Sequence, residues 1–174
     1  MSQLTNLATP ENAGSGSADA LVRSACEVLL DSLHQNGSAI ANVRTELINK
    51  MNQSVKNLNI SIRNSQILGN PALALQDQRH QMLDALASYM PIEVSYHTKE
   101  MGGGIKVDTL EVKLKLSNGN KVSLINDSER GEFEFTFDAA TNKGVLNVTA
   151  AKDPDNPNAT PPTKQEVTGL LSNG

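Results

Sequence analysis

The stretch "LHQNGSAI", residues 33 to 40, decides the fold because it supports two opposite readings. Read locally, Gly37 is a helix stop and Ser38 a fresh N-cap, giving a helix, a break and a second helix. Read in context, Leu33, Asn36 and Ile40 continue a stripe of Val22, Ala25, Leu29, Leu33, Asn36, Ile40, Val43, Leu47, Met51, Val55, Leu58 and Ile62. Its steps of three and four are the helical period. A true turn resets that phase, and here the phase does not slip. The pattern therefore predicts one helix of about 45 to 50 residues, roughly 70 Å long at 1.5 Å per residue.

Outward from this helix, "LGNP" at 68 to 71 offers Gly69 as a stop, Asn70 as an N-cap and Pro71 at the first helical position. Leu75, Met82, Leu83, Leu86 and Met90 form the apolar face of a second helix that Pro91 ends. So short a connection predicts an antiparallel pair. From Ile92 the period falls to two. Ile92, Val94 and Tyr96, then Leu110, Val112, Leu114 and Leu116, then Phe133, Phe135 and Phe137 alternate with polar residues. Turn signals separate these runs, among them Asn118-Gly119, the favoured type I′ hairpin pair. The expected fold is α+β, a long antiparallel helical rod followed by a five-stranded antiparallel β-meander. The expected segments are a flexible lead-in at 1–16, the helical rod at 17–91, the β domain at 92–152, and a Pro-rich linker with the start of a returning segment at 153–174.

Composition narrows the function. Aromatics are 3% of 174 residues and Trp is absent, so the core must be aliphatic, which favours an elongated shape. The net charge of -4 comes without a basic stripe or aromatic groove, which argues against nucleic acid as a partner. No apolar run reaches the roughly 18 residues of a membrane span, and the start lacks the pattern of a secretory signal. Cys26 falls within the helical pattern and is expected to be a packed thiol.

Candidate chemistry is sparse. Asp77, Arg79 and His80 lie within one helical turn, yet residues one or two apart on a helix point in different directions. Asp77 and Asp84 share a face without a third ligand or nucleophile. His34, His80 and His97 occupy separate elements, and none has a Cys or His at a ligand spacing. Glu132 and Glu134 alternate with Phe133 and Phe135 as on any solvated strand face, and "MGGGIK" at 101–106 lacks the spacing of a phosphate loop. The reading is a non-enzyme with no catalytic residue, no metal and no cofactor, in which Arg79 makes a helix–helix ion pair.

The run "LALQDQRHQMLDALASYMPIEVS" at 73–95 is similar to flagellar hook-associated protein 1. That family carries a Leu-Leu-Asp-Gln-Arg-Asp-Gln-Leu-Leu-Asp pattern, matched by Leu75, Asp77, Gln78, Arg79, Gln81, Met82, Leu83 and Asp84. His80 stands in place of an acid and Gln76 in place of a leucine. "VRTELINKMNQSVKNLNISI" at 43–62 resembles the family's long helix, and "EVTGLLSNG" at 166–174 resembles the segment that leads into its returning helix. The resemblance implies a structural protein of the extracellular flagellum, exported by the type III apparatus through a disordered N-terminal segment. It implies a ring at the hook–filament junction, with the flagellar hook protein and the adjacent hook-associated junction protein as partners. The family's terminal helices have no counterpart here. The resemblance further implies that Asp77, Arg79, Leu83 and Leu86 on the short helix lock against Leu47, Met51 and Val55 on the long one. The rival readings are a secreted adhesin whose β domain contacts a host ligand, and an enzyme hidden in the sheet.

Overall fold

The computed structural model describes residues 16–167, with side chains described throughout that span except at 16–19 and 34. Helix α1, Gly16–Ile67, runs through Gly37 without interruption. Gly37 keeps a negative φ there, and a Cβ added to it would meet nothing within 4 Å. The apolar period thus outweighs the local stop signal. The stop that acts is Gly69, at φ 85. Its N–H donates to the Gln66 carbonyl at 2.9 Å and the Asn70 N–H reaches back to the Ser65 carbonyl at 3.0 Å, which together make a Schellman cap.

Helix α2, Leu73–Tyr89, begins two residues later than the "NP" signal predicts. Asn70 does not cap it. Its Oδ1 instead accepts the Ala72 N–H at 2.9 Å, a local turn that leaves Ala72 at the cap position with φ 56 and no side-chain cap. α2 folds back on α1, so that Arg79 lies against Asn59.

The strands form two antiparallel sheets where one five-stranded meander was expected. The first has the order β1 (Ile92–Glu100), β2 (Lys106–Lys115), β3 (Lys121–Asn126), β4 (Glu129–Arg130). The second has the order β5 (Glu132–Asp138), β6 (Lys143–Thr149), β7 (Lys164–Glu166). Gly131 is the crossing point between them. Its N–H donates to Leu124 in the first sheet at 2.7 Å, and a Cβ on it would lie 2.4 Å from the Thr149 carbonyl oxygen in the second. Only a residue without a side chain lets the chain change sheets here. A register shift between Val112 and Lys113 leaves Leu124 as the extra residue of β3, and Leu124 and Ile125 are both buried in succession.

At "SNGN" only Gly119, at φ 84, enters the left-handed region, so the turn is not the expected type I′. The Gly119 N–H donates to the Leu116 carbonyl and the Leu116 N–H to that of Asn120, the pattern of a three-residue loop with a glycine bulge. β7 emerges from the Pro-rich segment and joins the second sheet through Asn147, Val148 and Thr149. Of the flexible lead-in expected at 1–16 only Gly16 is described, as the first residue of α1, and of the linker and returning segment expected at 153–174 the last residues, 168–174, lie outside the described residues.

The chain divides into two compact units, Met1–Ala41 and Asn42–Gly174. Within the second, one core unites Met51 and Val55 of α1, Leu83 and Leu86 of α2, Leu110, Val112, Leu114 and Leu124 of the first sheet, and Phe133, Leu146 and Val148 of the second. In this unit the helices and the strands share that core.

Candidate helix–sheet joint and assembly face

Beside the apolar stripe of α1 lies a series of amides and a guanidinium that sequence reasoning missed. Asn49 Nδ2 donates to the Phe133 carbonyl and Asn49 Oδ1 accepts the Phe133 N–H, both at 2.8 Å. One turn on, Gln53 Oε1 accepts from Arg130 Nε at 2.7 Å. Asn59 Nδ2 donates to the Asp127 carbonyl at 2.9 Å, and Arg63 Nη1 donates to Asp127 Oδ2 at 2.6 Å. Gln66 closes the series, donating to Asp108 Oδ2 at 2.7 Å while accepting the Asp108 N–H at 2.8 Å. The steps of four from 49 to 53 and of four and three from 59 to 66 are helical, whereas the step of six between 53 and 59 turns by about 240°, so the bonds to the two sheets leave α1 over a broad arc. Asn or Gln at 49, 53, 59 and 66 keeps no single helical period, so sequence spacing does not single these residues out.

Arg79 and Asp127 are the buried charges of this joint, 2% and 5% exposed. In place of the expected ion pair, Arg79 Nη1 donates to neutral Asn59 Oδ1 at 2.9 Å, and its guanidinium lies 5.6 Å from the centre of the Tyr96 ring. Asn59 thus holds Arg79 with its oxygen and the β3–β4 turn with its nitrogen. Burial lowers the Arg79 pKa, against the pull of Tyr96, Asp108 and Asp127. Burial likewise raises the Asp127 carboxyl above its ordinary range, opposed by the Arg63 guanidinium and by Lys99. Asp127 also sits at φ 48, a left-handed position that Asp tolerates better than branched residues. The side-chain amide of Asn52 is fully buried and has no hydrogen-bond partner among the described residues.

The residues expected to join the helices fare differently. Met51, Val55, Leu83 and Leu86 lie together in the core. Asp77 is exposed and Leu47 is 39% exposed, so neither is in the buried part of the contact. Arg79 needs no carboxylate at this point because Asn59 and the Tyr96 ring meet it.

The remaining candidates stay apart. His80 and His97 are exposed, His80 packing obliquely against Tyr96, and the His34 side chain lies outside the description. Asp84 is exposed, as are Glu132 and Glu134, the latter paired with Lys164. Among the described residues no group of three His, Cys, Asp or Glu is placed to hold a metal ion. No helix among the described residues is long and apolar enough to cross a membrane.

Among the described residues of Met1–Ala41 the large apolar side chains are exposed. Leu21, Val22, Leu29, Leu30 and Leu33 are all exposed, Leu33 to 67%, and Ile40 is 60% exposed. Cys26, expected to be packed, is exposed with them. Ala25 of the same stripe is buried, whereas the Cys26 thiol, which its period was taken to bury, is exposed.

These features meet what comparison with known proteins finds. The model of the flagellar hook-associated protein FlgK helical domain matches residues 16–173. No curated protein and no solved structure matches the chain.

Proposed function

Because the chain belongs to the family of the flagellar hook-associated protein FlgK helical domain, a structural component of the flagellum, we propose that it works at the junction between hook and filament. The observation that carries this reading is the match over 158 consecutive residues, 16 to 173, which spans both helices and both sheets. In this reading the protein is exported to the cell exterior and meets the hook protein on one side and the adjacent junction protein on the other. Copies associate as a ring. The exposed large apolar residues of α1 between Leu21 and Ile40 support the reading, since such side chains on a helix are suited to burial against further helices of an assembly.

The joint has a mechanical part in such an assembly. A junction must pass torque between two tubes without yielding, and side-chain amides that bond the backbones of both sheets resist shear between helix and strands. Neither role requires a reactive group. The test is deletion of the gene with complementation by the wild-type chain. Cells without the protein should keep their hooks, lose attached filaments and cease to swim, and tagged protein should lie between hook and filament. Normal filaments on the deletion strain would overturn the proposal.

A further inference from the structure

We infer that Asn118, at the tip of the β2–β3 hairpin, is a site of spontaneous deamidation, where the chain converts its own asparagine to aspartate and isoaspartate. Among the described residues asparagine precedes glycine at 36–37 and at 118–119, and both asparagines are exposed. Exposure therefore does not distinguish them; the backbone does. Asn36 and Gly37 lie inside α1, where Gly37 keeps a negative φ and its N–H belongs to the helical ladder. Closing a ring from that nitrogen onto the Asn36 side chain needs a ψ outside the helical well and the loss of a ladder bond. At the hairpin tip neither obstacle stands. Gly119, at φ 84, has open space around its Cα, so no side chain obstructs its nitrogen. Asn118 Oδ1 accepts the Asn120 N–H at 2.9 Å, a turn that folds the side chain back over the intervening Gly119 amide.

The same hydrogen bond serves the chemistry. Oδ1 is the atom on which negative charge gathers when Cγ is attacked, and the Asn120 N–H already points at it. Lys115 and Lys121 face each other as the last cross-strand pair before the tip, two cations against the one carboxylate of Glu93 that Lys121 meets. That net positive surround eases loss of a proton from the Gly119 amide. The bond from the Gly119 N–H to the Leu116 carbonyl, at 3.0 Å, must open first, and at an exposed tip water replaces it. The Gly119 nitrogen, having given its proton to hydroxide, then bonds to Asn118 Cγ. The Cγ–Nδ2 bond breaks, and Nδ2 leaves as ammonia with a proton taken from water. Water next adds to either carbonyl of the five-membered ring and opens it, to aspartate at one carbonyl and isoaspartate at the other. Both products put a carboxylate where the protein had an amide. Isoaspartate also lengthens the backbone by a methylene, which disrupts the loop bonds between Leu116 and residues 119 and 120.

The test is peptide mapping by mass spectrometry of the full 174-residue chain, aged in mildly alkaline buffer both native and in urea. Cleavage after lysine and arginine puts Asn118 in the peptide 116–121 and Asn36 in the peptide 24–44, and each conversion adds one mass unit. In the native chain Asn118 should convert at least about tenfold faster than Asn36, whose ring closure waits for local opening of α1. In urea the two rates should converge. Conversion at Asn118 should quicken as pH rises, and in water enriched in heavy oxygen the product should carry the label, with isoaspartate beside aspartate. A native chain that shows no conversion at Asn118, that converts both sites equally, or that converts Asn118 more than about tenfold slower than in urea overturns the inference. None of these results bears on the flagellar role, which the deletion strain tests by itself.

Discussion

Arg79 shows at the residue scale how a charge becomes part of a core. It is nearly inaccessible, its pKa is lowered by burial, and its side-chain partner is an amide. Arg79→Ala would open a cavity and leave Asn59 Oδ1 without its donor, and should destabilise the fold by about 2 to 4 kcal/mol in denaturant unfolding. An unchanged midpoint would show that Asn59 and Tyr96 hold the joint without it. Asp127 carries the pH dependence. Its folded pKa lies above the unfolded carboxylate value of about 3.9, so the folded state binds the proton more tightly between those two values. Its contribution is therefore fully present below the unfolded pKa and declines as pH rises through the folded one. Measured against Asp127→Asn, which suits the same left-handed backbone, wild type should lose relative stability between about pH 4 and neutrality. A relative gain over that interval would contradict the assignment.

Two glycines give opposite predictions at the scale of elements. Gly37 lies inside a helix with open space around its Cα, so Gly37→Ala should stabilise by about 0.5 to 1 kcal/mol, read as a raised thermal midpoint. Gly131 sits where the chain changes sheets, and Gly131→Ala would drive a methyl onto the Thr149 carbonyl. That substitution should cost about 1 to 3 kcal/mol, seen as a lowered denaturant midpoint. The long helix, the fold-back of α2 and the alternation of the early strands were legible because each is a period, and a period survives local contradiction. The division into two sheets was not legible. It depends on contact between Gly131 and Thr149, residues remote in sequence, and "RGE" at 130–132 reads like any loop. The joint was half visible: the "LQDQR" run drew attention to Arg79, but its true partner stands twenty residues upstream in a helix read only for its apolar stripe. Asp77 enters the expected helix contact only through the family resemblance, and it is exposed.

At the scale of the whole molecule, the two units should differ in local stability. Between residues 20 and 41 the large apolar side chains are exposed, whereas α1 from Asn42 onward contributes Met51, Val55 and Ile62 to buried positions. A long helix without packing on its apolar face depends on propagation alone. Amide hydrogen exchange should therefore be faster across 20–41 than across 48–63, and Gly37→Ala should slow it in the first segment only. Uniform protection along α1 would contradict this. The joint also sets different rules for its two sides. Asn49 binds the backbone N–H and carbonyl of residue 133, Asn59 the carbonyl of residue 127, and Gln66 the N–H of residue 108. Those backbone groups remain whatever side chain the strand carries there, so the sheets can drift in sequence while the helix face cannot. Random mutagenesis scored by folding should find positions 49, 59 and 66 intolerant and exposed strand positions such as 132 and 134 permissive, leaving the outer hairpins free to diversify on a fixed helical mount.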